Sequence, residues 1–176
     1  MKRNNRYMYY ILSFSCLYFL STCYAPDPDL SIERKDYIGE SLRIDGYYYY
    51  TNLNDLYIEY RFFFKNGVCL RHASRTTDIQ VVDNEILNKI NSLGKEKINW
   101  GIFHIIGDKI TYKHWISPHE GGFEVALSEG YILNDTTYKI VKESYSTSAY
   151  PPDIQEKFWH FRQFAHKPDS TNNFIK

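Results

Sequence analysis

Residues 57–73 read YIEYRFFFKNGVCLRHA, which is the pattern of a β-hairpin. The pair Asn66-Gly67 between two apolar runs is a strong turn signal. A three-residue loop over 65–67 places the alternate apolar residues of both strands on one face, which a two-residue loop would not do. These residues are Ile58, Tyr60, Phe62, Phe64, Val68 and Leu70. We therefore predict the longer loop, with Gly67 in the left-handed conformation.

The same period of two continues on both sides of this hairpin. The predicted strands are 42–50, 57–64, 68–73, 100–106, 109–116, 123–133, 136–146 and 158–164. Gly107-Asp108 and Asn134-Asp135 are expected to form the turns of two further hairpins. About eight strands joined in sequence make an antiparallel meander, and closing it removes the unpaired edges. The expected fold is all-β with one short helix, closed into a barrel or a strongly curved sheet.

One segment between the strands has the periodicity of a helix instead. Its apolar residues are spaced as on one helical face. They are Ile86, Leu87, Ile90 and Leu93. Asp83 is the predicted N-cap, and Gly94 stands where a left-handed residue would end the helix. A helix of about three turns needs packing against the sheet to persist.

The N-terminus has the layout of a secretory signal. Lys2, Arg3 and Arg6 precede an apolar stretch over residues 7–20, which is shorter than a membrane-spanning helix. The following Leu20-Ser21-Thr22-Cys23 resembles the lipobox of bacterial lipoproteins, with Thr22 where Gly, Ala or Ser is usual. The resemblance implies cleavage before Cys23 and attachment of diacylglycerol to its sulfur. An ordinary signal peptide is the alternative.

These features predict three regions along the chain. Residues 1–22 are the signal peptide, residues 23–40 carry the lipid anchor and a flexible tether, and residues 41–176 form a single domain. The alternating Pro and Asp of 25–29 suit a solvated spacer. The expected location is the bacterial cell envelope, with the protein held on a membrane, the outer one being favoured.

Several motifs resemble those of lipocalin-like lipoproteins of Bacteroidetes-type bacteria. They are Asp45-Gly46-Tyr47-Tyr48, the hairpin at 64–68, Trp-Gly-Ile-Phe-x-Ile at 100–105 and Lys-Pro-Asp-Ser-Thr-Asn at 167–172. The Gly-x-Trp motif of true lipocalins has Tyr48 in place of Trp. The resemblance implies a lipocalin-like barrel. It rests on structural residues and therefore implies no particular ligand.

The charge balance argues against a nucleic-acid partner. The chain has 21 basic and 21 acidic residues, and removing residues 1–22 leaves 18 basic against 21 acidic. Binding to phosphates requires a basic surface excess. We therefore expect the partners to be a membrane, through the anchor, and a small ligand or an envelope protein.

No motif in the sequence predicts catalysis. His114, His119 and Glu120 are close in sequence, but the two histidines are five residues apart across a proline, and an ordinary polar loop is the preferred interpretation. Cys69 is interpreted as a small buried residue rather than a nucleophile. We predict no catalytic residue, no metal site and no cofactor.

The aromatic content is the feature that points to binding. The chain has 17 Tyr and 3 Trp, and alternation along a strand places Tyr48 and Tyr50 on one face and Tyr47 and Tyr49 on the other. A two-residue turn at 107–108 pairs Trp100 with Trp115. The candidate ligand residues are therefore Tyr48, Tyr50, Trp100 and Trp115, for a small amphipathic ligand. An accessory or inhibitor protein, and less favoured a hydrolase using His and carboxylate, are the alternatives.

Overall fold

The computed structural model describes residues 28–117, 122–146 and 151–176. Eight antiparallel strands form a closed barrel in which each strand pairs with the next along the chain and the last pairs with the first. They are β1 (Gly46–Asn52), β2 (Tyr57–Phe63), β3 (Val68–Ser74), β4 (Trp100–Ile106), β5 (Lys109–Ile116), β6 (Glu124–Asn134), β7 (Thr137–Tyr145) and β8 (Lys157–Gln163). The predicted eight-stranded, lipocalin-like barrel with one helix is confirmed.

The β2–β3 hairpin has the predicted three-residue loop. Phe62 lies opposite Leu70, and Gly67 has a φ of +76°. A Cβ atom at Gly67 would lie 2.1 Å from the carbonyl oxygen of Lys35, so both the turn and the neighbouring chain require glycine.

The β6–β7 turn lies one residue later than predicted. Asn134 pairs with Thr137, so the turn residues are Asp135 and Thr136 rather than Asn134 and Asp135. The Oδ1 atom of Asn134 accepts hydrogen bonds from the backbone N–H and the hydroxyl of Thr136, at 3.0 and 2.8 Å. A side chain that bonds two residues ahead stabilises a turn from its first position, which explains the shift.

Helix α1 (Ile79–Lys89) begins before its predicted start. Its N-cap is Asp78, whose Oδ1 accepts from the backbone N–H of Gln80 at 2.8 Å, so the prediction of Asp83 as N-cap is wrong. Asp83 instead lies inside the helix and accepts hydrogen bonds from Tyr47 and Arg162 of the barrel.

The buried face of α1 also differs from the predicted one. Val82 and Ile86 are buried against the barrel, whereas Leu87 is 42 % exposed. Leu93 is buried too, but it begins the 3₁₀ turn Leu93–Lys95, so Gly94 does not end the helix as predicted. A second 3₁₀ turn, Lys97–Asn99, leads into β4.

Apolar side chains form one cluster inside the barrel and one outside it. The inner cluster contains buried residues from β1–β5, β7 and β8. Leu42 and the partly buried Tyr37 and Ile44 also belong to it, at the barrel end where β2 turns into β3. The outer cluster lies under α1, the N-terminal segment and Ile175. We call the barrel end at which β2 turns into β3 the turn end, and the opposite end, where β1, β3, β5 and β7 finish, the mouth.

The described part of the predicted tether, residues 28–40, lies against the barrel. The indole N–H of Trp115 donates to the carbonyl of Pro28 at 2.8 Å, and the N–H of Tyr37 donates to the carbonyl of Lys65 at 2.6 Å. Leu30 between them is buried in the outer cluster. This segment therefore runs along the outside of the barrel from the mouth to the turn end, and only residues 23–27 of the expected spacer precede it.

Candidate functional site

Among the described residues, five charged side chains point into the barrel near the mouth. Inward and outward residues alternate along a strand, and four of the five lie in phase with the inner cluster; Glu143 comes into phase through the β-bulge between Ile140 and Lys142. The five are Glu59 and Arg61 of β2, Arg71 of β3, Glu143 of β7 and Lys157 of β8. None of these side chains is more than 22 % exposed. We call this group the inner charge cluster.

Glu59 is the carboxylate that two arginines share. Its Oε1 accepts from Nη2 of Arg61 at 3.0 Å and lies 3.3 Å from Nε of Arg71. Burial by itself raises the pKa of Glu59, but the two guanidinium groups outweigh it and leave the pKa below its usual value. Glu59 is therefore ionised at neutral pH and holds both arginines in place.

Glu143 joins the other side of the cluster. It accepts hydrogen bonds from Ser128 at 3.0 Å and from the ammonium group of Lys157, and it lies 3.9 Å from Nη2 of Arg61. Burial lowers the pKa of Lys157, but the hydrogen bond to Glu143 reverses this and the net pKa is raised. Asp153, which is more exposed, lies 2.9 Å from Lys157 at the rim.

Arg61 forms the floor of the site. Its guanidinium carbon lies 3.8 Å from the ring centroid of Trp159 and 4.4 Å from that of Tyr112, so it is held between two aromatic faces. The side chain is only 1 % exposed. Below it, rings of the inner cluster such as Tyr138, parallel to Trp159 at 5.7 Å, fill the barrel. A ligand that enters from the mouth would therefore stop at the level of the charges.

Above the cluster the mouth opens into a cleft of about 720 Å³. Its lining mixes apolar and charged side chains: Asp55, Leu56, Tyr57, Glu59, Arg71, Ala73, Ser74 and Arg75. Leu56 is exposed and has a φ of +54°, a left-handed conformation that is costly for a leucine. The β1–β2 turn therefore holds an apolar side chain at the edge of the cleft at some cost in backbone energy.

The structure divides the four predicted ligand residues between the two faces of the barrel wall. Tyr48 and Tyr50 belong to the inner cluster, whereas Trp100 and Trp115 belong to the outer one. Only Tyr50, which lies opposite Glu59 on β2, is near the inner charge cluster. The four side chains therefore do not form one surface.

The three buried members are held by hydrogen bonds to backbone carbonyls. Tyr48 donates to Asp135 at 2.6 Å, at the turn end, and its pKa is raised by burial. The indole of Trp100 donates to the carbonyl of Gly94 at 2.8 Å, beneath the 3₁₀ turns. The indole of Trp115 donates to the carbonyl of Pro28 in the N-terminal segment.

Sequence reasoning missed the inner charge cluster, although a signal for it existed. Glu59, Arg61 and Arg71 lie at the same alternate positions as Phe63 and Cys69, on the face that turns out to be inside. Charged residues at inward positions are unusual, because burial of a charge requires a partner. The register of a single hairpin could therefore have identified three of the five residues.

The other candidates for chemistry are buried or lie outside the described residues. His114 packs parallel to Tyr112 at 4.6 Å, and burial, followed by the charges of Arg71 and Arg61, lowers its pKa well below the usual value. His119 and Glu120 lie outside the described residues. Cys69 is buried, and burial raises the pKa of its thiol. Within the described ranges, no group of three His, Cys, Asp or Glu side chains is placed to hold a metal ion.

The predicted signal peptide and the lipid-attachment residue Cys23 lie outside the described residues. None of the described helices is long and apolar enough to cross a bilayer. Comparison of the chain with known protein families, with curated proteins and with solved structures finds no match.

Proposed function

We propose that this protein is an envelope lipoprotein, anchored through Cys23, that binds a small amphipathic ligand at the mouth of its barrel without catalysing a reaction. The observation that supports this most is the mixed lining of the mouth cleft. Binding sites for small molecules usually combine an apolar wall with a few fixed polar groups, in a volume of about 300–1,000 Å³. The cleft of about 720 Å³ falls in that range and has both kinds of lining.

The packing of the barrel favours a particular orientation of the ligand. Leu56, Tyr57 and Ala73 offer apolar contact at the rim, and Glu59 and Arg71 lie among the charges below. The inner cluster beneath them is packed with aromatic rings. The polar end of the ligand would therefore face the charges, with its apolar part at the rim.

The course of the N-terminal segment agrees with a ligand taken from a membrane. Pro28 is held by Trp115, near the end of β5 and therefore at the mouth end of the barrel. Pro28 is the fifth residue after Cys23, and an extended chain spans at most about 3.6 Å per residue, or roughly 18 Å over these five steps. A lipid on Cys23 would hold the mouth end within that distance of the bilayer surface.

A steric block of the cleft tests the proposal. Calorimetric titration of the mature protein with decanoate, decanol and octyl glucoside should detect binding of at least one of them. Ala73→Trp, which fills the cleft, should weaken that binding at least tenfold. Ala165→Trp is the matched control, because Ala165 is exposed beyond β8, at the turn end. Absence of binding by all three amphiphiles, or equal binding by both tryptophan variants, would refute the proposal.

One observation favours a second function, contact with a partner protein. At the turn end Ile38 is 95 % exposed and Ile106 is also exposed, beside a cleft of about 460 Å³ that Tyr37 and Phe103 help to line. Exposed apolar groups that lie close together are typical of interaction surfaces. Ile38→Asp should abolish co-purification of such a partner from envelope extracts and leave amphiphile binding at the mouth unchanged.

A further inference from the structure

Arg71 is a partly buried cation whose hydrogen-bonding capacity is largely unused. It lines the mouth cleft, and its side chain is 22 % exposed. Its Nε lies 3.3 Å from Glu59 Oε1 but does not form a well-directed hydrogen bond. Among the described residues, its terminal amino groups have no hydrogen-bond partner. A guanidinium has five N–H donors, so most of the donors of Arg71 remain available.

The inner charge cluster has a surplus of positive charge. It combines three cations with two carboxylates, Glu59 and Glu143, and Glu59 is already shared by two arginines. Asp153 offsets this charge only from the more exposed rim. The buried Arg61 likewise has Nε and Nη1 without a hydrogen-bond partner in the described chain. The floor of the cleft therefore has more donors and more positive charge than its own acceptors satisfy.

Two neighbouring polar groups are also buried. The hydroxyl of Tyr112 and the Nδ1 atom of His114 are buried without a partner among the described residues. Burial lowers the pKa of His114, and the positive charges of Arg71 and Arg61 lower it further because they disfavour its protonation. The site thus resists a further positive charge, and its unpaired arginine donors can be satisfied by an acceptor.

We propose that the polar end of the ligand is an anionic group, such as a carboxylate or a sulfate, that binds the terminal amino groups of Arg71. This inference rests on the proposed binding function and specifies its ligand class. Arginine suits such groups because its planar fork matches two acceptor oxygens, and charge-assisted bonds are stronger than neutral ones. Glu59 orients the guanidinium from the other side. The apolar part of the ligand lies against Leu56, Tyr57 and Ala73.

The test compares amphiphiles with the same chain and different head groups. Decanoate and decyl sulfate should bind the wild-type protein at least tenfold more tightly than decanol, and decyltrimethylammonium should bind more weakly than decanol. Arg71→Gln should reduce the affinity for the two anions about tenfold and change that for decanol less than twofold. Arg34→Gln is the matched control, because Arg34 is exposed on the N-terminal segment outside the barrel. It should leave all affinities unchanged.

Salt provides a second test that needs no variant. The affinity for decyl sulfate should fall as the ionic strength rises, whereas that for decanol should not, because charges are screened. This result keeps the inference testable if Arg71→Gln fails to fold, which circular dichroism would reveal.

The outcomes separate this inference from the proposed function. Equal affinity for anions and alcohol, with both lost in Ala73→Trp, would overturn the anionic class and leave the binding function in place. An anion preference that survives in folded Arg71→Gln would overturn the role of Arg71. Absence of binding by every probe would overturn the binding function itself.

Discussion

Replacement of Glu59 by glutamine should be among the most destabilising conservative changes in this barrel. The variant keeps the shape of the side chain but removes the charge that pairs with Arg61, which is 1 % exposed. The nearest remaining carboxylate is Glu143, at 3.9 Å. Breaking a buried ion pair by removing one partner costs about 3–5 kcal/mol, because the other charge stays buried without compensation. In a protein of this size that loss corresponds to a fall in Tm of about 6–20 °C.

Urea and thermal unfolding at pH 7, followed by circular dichroism, would measure the loss. The matched control is Glu129→Gln, since Glu129 pairs with Lys142 at 3.3 Å on the exposed side of β6 and β7. Pairs exposed to solvent contribute about 0–1 kcal/mol. A Glu59 variant that loses no more stability than the Glu129 variant would refute the argument that the inner charge cluster is energetically coupled.

The pH dependence of this effect has a definite sign. The pKa of Glu59 is lower in the folded protein than in the unfolded chain, so its charge stabilises the fold above the unfolded value, about 4.3. That contribution is lost as the pH falls through the folded pKa. The difference in stability between wild type and Glu59→Gln should therefore shrink on acidification, and a difference that grows would contradict the assignment.

Three further predictions follow from other parts of the chain. Ile86→Ala should lower the free energy of unfolding, measured in urea, by about 2–5 kcal/mol, because Ile86 is buried. Leu87→Ala should lower it by no more than about 1 kcal/mol, because Leu87 is exposed. Equal losses would show that α1 docks on another face. His114 has a pKa far below that of a histidine in the unfolded chain. The free energy of unfolding of the wild type should therefore fall by up to about 1.4 kcal/mol per pH unit below about pH 6.5. His114→Phe should remove this slope, and a slope that persists in the variant would assign it to another group. The two chains of the proposed diacylglycerol would suffice to hold the protein on a membrane. Cys23→Ala should therefore release it in a fractionation experiment, and normal membrane association of the variant would refute the anchor.

The hairpins were the most predictable part of the structure. The loop over 65–67, the two-residue turn after Ile106 and the division of Tyr47–Tyr50 between two faces all follow from local rules, and the structure has each of them. The errors occurred where two local choices were nearly equal. Asp78 and Asp83 both suit an N-cap, and the docking of Val82 and Ile86 against the barrel selected the earlier start. Docking also determined that Leu87 faces outward, because adjacent helical residues point about 100° apart.

The candidate site was less predictable than the fold. The aromatic residues were the visible signal, but alternation alone cannot say which face of a meander becomes the inside of a barrel. Once the barrel closes, Tyr50 is inside and Trp100 and Trp115 are outside. The pairing register of β1–β4 places the two tyrosines and the two tryptophans on opposite faces of the sheet, and closure makes the tyrosine face the inside.

Local sequence specifies the strands, most of the turns and the alternation of faces along a strand, because alternation and turn geometry depend on residues only a few positions apart. The meeting of Glu59 and Arg71 with Glu143 and Lys157, which lie more than seventy residues away along the chain, depends on tertiary contacts instead. The physical reason is closure of the barrel: β8 pairs with β1, and inward side chains from β2 and β3 then face those of β7 and β8 across a narrow interior. The inner charge cluster therefore depends on closure of the barrel rather than on any one local segment.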